Sequence, residues 1–269
     1  VYLVPFFTVV FTSFSTWNGF NPPQFAGLKH YRDLFASEQF HSAFLNTLLW
    51  GFLAGLVHVP FGVFVALVIS KKPWGWRFTR AVFMIPNIMG WTALSLLFLF
   101  VYFPRAGILN GIIQALGFSD FEHNWLNSSS TAFGAVTMIW LLFAAVITLI
   151  STSELLSIPE SIYESAKLDG ASNFQIDWYI NLPMIRPIIG TSVILAVTST
   201  FKQFEIIFLT TGGGPGNRTM NLSMMIVNRI FNTMEYGYAN ALAFILLIIG
   251  AVFILVSQKL FKMERGYHD

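Results

Sequence analysis

The sequence predicts an all-α polytopic membrane protein with about six transmembrane helices. Three observations carry that expectation. Only 10% of residues are charged against 55% hydrophobic, whereas a water-soluble domain carries roughly 25% charged residues. Mean hydropathy is +0.65. Long apolar stretches also recur through the 269 residues, a length that suits about six spans of about 20 residues each. Barrel strands would alternate over about ten residues, and runs such as 94–101 and 239–256 do not alternate.

The apolar stretches fall at 1–17, 44–70, 81–103, 131–153, 188–211 and 238–260. The first opens at Val1 with no charged segment before it. It therefore reads as a clipped helix and not as a signal peptide. The second carries Asn46 at its start, a GxxxG pair in Gly51 and Gly55, and Pro60 and His58 within it. Small residues at this spacing allow close helix approach. The third contains Pro86 and Asn87, the fifth the polar run Lys202-Gln203-Phe204-Glu205, and the sixth Asn240. Trp17, Trp74, Trp76 and Trp125 fall near span ends, where indole rings favour the lipid interface.

Basic residues give the orientation. Lys71, Lys72, Arg77, Arg80, Lys167, Arg186, Lys259, Lys262 and Arg265 lie on one side. Lys29, Arg32, Arg105, Arg218 and Arg229 lie on the other. The richer side is expected to be cytoplasmic, with both termini inside. The formal net charge of +2, without a Lys/Arg stripe, excludes a nucleic-acid partner. With no cysteine, disulfides, thiolate chemistry and cysteine-held zinc are excluded.

The connection at about 154–187 is too long and too patterned to be a mere linker. Pro159 suits a first helical position with Glu160 in the first turn. Gly170 suits the left-handed position past that helix. Ser172 and Gln175 read as a capping box for a second short helix, which Pro183 ends. Ile162, Ala166, Phe174 and Trp178 lie beside Glu160, Glu164, Asp169 and Asp177, with Lys167 as the one base. A helix lying on lipid headgroups would be rich in Lys and Arg. The acidic face instead favours docking in a groove of another protein.

These residues resemble the EAA signature of membrane subunits of ATP-binding-cassette importers. Glu164-Ser165-Ala166, Gly170, Ile180 and Leu182-Pro183 keep its spacing, with Ser165 the one departure. Asn46-Thr47, Phe83-x-Ile85-Pro86 and Gly107-Ile-Leu-Asn110 resemble further patterns of that family, and Leu209-Thr-Thr-Gly-Gly-Gly-Pro215 is similar to the Thr-x-Gly-Gly-Pro of its carbohydrate branch, the maltose and glycerol-phosphate type permeases. The resemblance implies a type I importer permease fold over a single domain, 1–269. It implies a multi-pass component of the bacterial inner membrane. It also implies that Glu164, Ser165, Ala166, Asp169, Gly170, Ile180, Leu182 and Pro183 form a coupling helix gripped by an ATPase. The implied partners are a second permease, two cytoplasmic ATPase subunits that bind the ATP and Mg, an extracytoplasmic solute-binding protein at loops 18–43, 104–130 and 212–237, the carbohydrate, and lipid.

The chain itself has no G-x-x-x-x-G-K-[ST]. The run from Gly212 to Gly216 is followed by Asn217-Arg218-Thr219 and reads as a turn. No catalytic residues, cofactor or metal site are expected. For a translocation path the candidates are Lys202, Gln203, Phe204, Glu205, Asn46, Asn87 and Asn240. Lys202 and Glu205 are three apart and are expected to pair on one helix face. Gln203 and the pair would bond hydroxyls while Phe201 or Phe204 stacks on a sugar ring, and for the asparagines helix–helix bonding is the favoured alternative. Two other classes compete: an ion-coupled secondary transporter, which should show internal repeats, and a membrane enzyme built around His58, which has no evident carboxylate partner.

Overall fold

The structure, a computed structural model, describes residues 3–261, without the side chains of Met84, Pro86 and Asn87. Val1, Lys262, Arg265 and the candidate side chain Asn87 thus lie outside the described residues. Helix α1 (Leu3–Ser13) ends where Thr12 and Ser13 turn their hydroxyls back onto the carbonyls of Thr8 and Val10. Next comes an antiparallel pair that the all-α expectation lacks, β1 (Ser15–Thr16) with β2 (Gln24–Phe25), in register Ser15–Phe25 and Thr16–Gln24. Its turn is made by Asn18, whose Oδ1 accepts the amides of Phe20 and Asn21, and by Gly19 at φ +85°.

Helices α2 (Lys29–Phe35) and α3 (Glu38–Ser70) follow. α3 is 33 residues long and loosens into a π turn at Ala54–His58. α4 (Trp76–Ile88) and α5 (Trp91–Val101) divide the stretch 81–103, read above as one span. The reason is local: Met89 turns extended at ψ 122° and Gly90 follows. After α6 (Ile108–Ala115), α7 (Ala132–Leu155) is interrupted at 142–144. α8 (Glu160–Leu168) and α9 (Asn173–Met184) form the hairpin, and α9 bends by 68° into α10 (Arg186–Lys202). α11 (Glu205–Thr210), α12 (Leu222–Phe231) and α13 (Tyr236–Phe261) complete the described chain.

All six apolar stretches are thus largely helical. α3, α7 and α13 are long and apolar enough to cross a membrane, and α9 with α10 would do so as one bent span. α1, α5 and α12 are apolar but shorter.

The chain divides into two compact units. One comprises the described residues through Gly51 with Trp91–Ile139 and Thr198–Val252. Its interior holds Phe40, Leu34, Ile139, Ile206 and Leu242. The indole of Trp50 stacks on Phe133 at 5.0 Å and donates to Thr137 Oγ1 at 2.8 Å. The other unit comprises Phe52–Gly90, Trp140–Val197 and the chain from Phe253. In it the α3–α7 crossing is tight at Gly62, whose carbonyl accepts the Thr148 hydroxyl at 3.1 Å. His58 Nδ1 donates to the Leu141 carbonyl at 2.8 Å, just where α7 breaks and leaves that carbonyl without a helical amide. This partner gives His58 a packing role.

Candidate functional site

The 158–183 hairpin folds by the local chemistry its sequence encodes. α8 begins one residue later than expected: Pro159 is the N-cap, at φ −58° and ψ 136°. Glu160 stands in the first turn and Lys167 in the last, each favourable to the helix dipole. At the far end Gly170 takes φ +79°. Its amide donates to Lys167 O at 3.0 Å, and that of Ala171 to Ala166 O at 2.9 Å. This is the Schellman closure, which satisfies carbonyls that would otherwise lack donors. Ser172 and Gln175 then cap α9 reciprocally: the Gln175 amide donates to Ser172 Oγ, and the Ser172 amide donates to Gln175 Oε1 at 2.8 Å. Pro183 does not end α9, which continues to Met184 before the bend.

The signature residues sit together on this hairpin. Glu164, Ser165, Asp169, Gly170 and Pro183 are exposed, and Ala166, Ile180 and Leu182 are half-buried. Ser165, the departure from the signature, returns its hydroxyl to the Ser161 carbonyl at 2.9 Å and so leaves no stray donor on that face. No residue of α8 is fully buried, and Leu168 at its end is 89% exposed. Phe174 and Trp178 stack at 6.3 Å on α9 and are also exposed.

Beneath α8 lies a cleft of about 620 Å³ between Lys71, Leu155, Tyr163, Glu164 and Asn181. Its polar groups form a connected line that the sequence did not reveal. Tyr163 donates its hydroxyl to Asn181 Oδ1 at 2.8 Å, Asn181 Nδ2 donates to Asp177 Oδ1 at 2.9 Å, and Lys71 is ion-paired to Asp177. Burial, reinforced by the Asp177 charge, pushes the Tyr163 phenol above its ordinary range, so it remains a donor at neutral pH. Asp177 and Asn181 stand four apart at the two ends of a π turn, a spacing visible in sequence, but nothing local there points to Lys71 or Tyr163.

The polar run at 202–205 is arranged differently from expectation. Lys202 ends α10, Gln203 and Phe204 are non-helical, and Glu205 opens α11. Lys202 and Glu205 therefore do not share a helix face, and no ion pair joins them among the described residues. The break is held by side chains of the following segment. Asn221 Nδ2 donates to Gln203 O at 2.7 Å, and the Ser223 hydroxyl donates to Phe201 O. Lys202 is exposed, and Gln203, Phe204 and Glu205 are half-buried.

Asn46 is engaged elsewhere. Its Nδ2 donates to the carbonyls of Asn217 at 3.3 Å, Arg218 at 3.1 Å and Met220 at 2.8 Å, while Thr47 Oγ1 accepts the Leu222 amide at 3.0 Å. The glycine run is a turn, with Gly212, Gly213 and Gly216 all at positive φ. Asn240 donates to Thr12 Oγ1 at 2.7 Å. No cluster of three or more metal-binding side chains occurs among the described residues.

Residues 58–263 match the family model described as binding-protein-dependent transport system inner membrane component. The chain belongs to that family. The permease is 34% identical to the probable ABC transporter permease protein YurN of Bacillus subtilis, over 97% of this chain and 91% of that protein. It is also 34% identical to the multiple sugar-binding transport system permease protein MsmF of Streptococcus mutans, over 96% of this chain and 89% of that one. Its fold matches a chain of a bacterial alginate ABC transporter, crystallised with an alginate pentasaccharide-bound periplasmic protein, at TM-score 0.83 and 21% identity, covering 96% and 88% of the two chains. The permease is thus a non-catalytic, multi-pass inner-membrane component of an ABC importer, of the carbohydrate-uptake type in its likenesses.

Proposed function

We propose that the permease forms part of the translocation path of an ATP-driven carbohydrate importer, and that the 158–183 hairpin is where cytoplasmic ATPase subunits grip it. The observation that carries this is a self-capped helix pair presenting Glu164, Leu168, Asp169 and Phe174 outward with no fully buried residue on its first helix. Such a face suits a groove in a partner. Carbohydrate as the cargo rests on relatives whose names specify sugars, among them the Streptococcus mutans and alginate systems.

The basic loops 71–80 and 154–187 and Lys259 belong to one compact unit, which fits a common cytoplasmic placement for them. The cytoplasmic placement of both termini rests on the distribution of Lys and Arg alone. A second permease would complete the path, two ATPase subunits would bind ATP and Mg, and a binding protein would deliver solute at 18–43, 104–130 and 212–237. The path wall in this subunit is the break at Lys202, Gln203, Phe204 and Glu205, because non-helical backbone at membrane depth is tolerated where it lines a cavity or is buried in protein. Asn87 is assigned to that path from its sequence position alone. Asn46 and Asn240 enter as supports, since their amides hold the 217–220 loop and α1.

The test is uptake of a panel of radiolabelled oligosaccharides by cells carrying Glu164→Lys with Gly170→Pro. Uptake should vanish and the ATPase should no longer co-purify, while membrane insertion persists. Undiminished uptake, or uptake indifferent to ATP depletion and abolished by an uncoupler, would overturn the reading.

A further inference from the structure

α8 has little apolar attachment to its unit, since none of its residues is fully buried. Its polar attachment is Tyr163, and the line that starts there runs through Asn181 and Asp177 to Lys71. Lys71 is the residue that caps the C-terminal end of α3. One continuous series of donors and acceptors therefore joins the short exposed helix to the end of a 33-residue helix.

The line is directional at every step. Asn181 is 4% exposed, and both ends of its amide are engaged, so the group has no second orientation that keeps both bonds. The Asp177 side chain is 19% exposed and uses one oxygen for Asn181 and the other for Lys71. The Lys71–Asp177 pair, with side chains 44% and 19% exposed, adds little stability of its own, as partly exposed ion pairs generally do. What a satisfied polar network adds is a single geometry. The π turn Asp177–Asn181 that carries the two central groups is of a kind found frequently at functional sites.

We propose, resting on the coupling role given above to the hairpin, that Tyr163, Asn181, Asp177 and Lys71 are positioning residues forming a strut that carries displacement of α8 to the inner end of α3. The strut is distinct from the gripping surface. Glu164, Leu168 and Asp169 would meet the partner, and these four residues pass the movement on.

The chain has no cysteine, so a single Val68→Cys on the exposed side of the last turns of α3 accepts a fluorophore at one place. The labelled permease, assembled with its second permease and ATPase subunits in liposomes, is given ATP and Mg. An emission change is expected with the strut intact. In Tyr163→Phe and in Asp177→Asn the ATP-driven shift in the two-state equilibrium that this emission reports should weaken by about tenfold, the bias that matches losing one hydrogen bond of this kind. The ATPase should still co-purify. Lys71→Asp combined with Asp177→Lys should respond more than either change alone. A full response in both Tyr163→Phe and Asp177→Asn, or loss of the ATPase from them, would overturn the strut. The coupling role fails separately, if Glu164→Lys with Gly170→Pro keeps the attached ATPase and the response.

Discussion

A Cβ added to Gly62 would lie 2.8 Å from both Cβ and Cγ2 of Ile147 and 3.0 Å from Cβ of Ala144, so α3 and α7 meet there with no space for a side chain. The GxxxG pair suggested that Gly51 and Gly55 hold this role. A Cβ on Gly55 would meet Val193 only at 3.7 Å, an ordinary contact. Spacing shows which residues are small, but the partner across the crossing decides which of them must be. Gly62→Val should therefore destabilise by about 1–3 kcal/mol through overpacking, read as a lower Tm in detergent, and Gly55→Ala should leave Tm in place. Equal melting of the two variants would refute the contact. Asn46 teaches the same lesson in polar terms. Its donor reaches three carbonyls about 170 positions away in sequence (the separations are 171, 172 and 174). The similarity of Asn46-Thr47 to a family pattern was visible in the sequence, and its bonds to residues 217–222, just past the glycine run, were not.

At the scale of elements, the hairpin was the most legible part because its signals are local. Gly170 past a helix end and Ser172 three residues before Gln175 act through backbone groups within one turn, and both appear as read. Ser172→Ala should cost about 1 kcal/mol of local helix stability. Hydrogen exchange of the 173–176 amides would report it as faster exchange confined to α9, and unchanged protection would remove the cap from the account. Where the reading failed, the cause lay outside the segment. The 188–211 stretch is apolar enough to continue as one helix, yet Asn221 and Ser223 draw the carbonyls of Gln203 and Phe201 away from it. That separates Lys202 from Glu205 and undoes the pairing expected from their spacing. The β1–β2 connection is the opposite case: Asn18-Gly19 is turn chemistry in plain view, within a longer connection over residues 17–23, and is masked by the apolar character of the preceding run.

For the whole molecule, composition alone decided the class. A chain with 10% charged residues has too little polar surface for water, and its apolar stretches are helical as hydrocarbon requires. The orientation from basic residues makes a direct prediction. In a chain without native cysteine, Ser161→Cys on α8 should react with an impermeant maleimide only after the inner face is opened, and Phe20→Cys in the turn after β1 should react from outside. The reverse pattern would invert the topology.

The double closure of the hairpin has one more consequence. Because the C-terminal end of α8 and the N-terminal end of α9 are satisfied from within the hairpin, the corner between them is already ordered before anything touches it. A partner therefore loses little affinity to ordering the segment, since rigid preformed ligands avoid most of that entropic penalty. Engagement and release can then be fast and repeated, as a cycling motor needs, with shape retained between strokes.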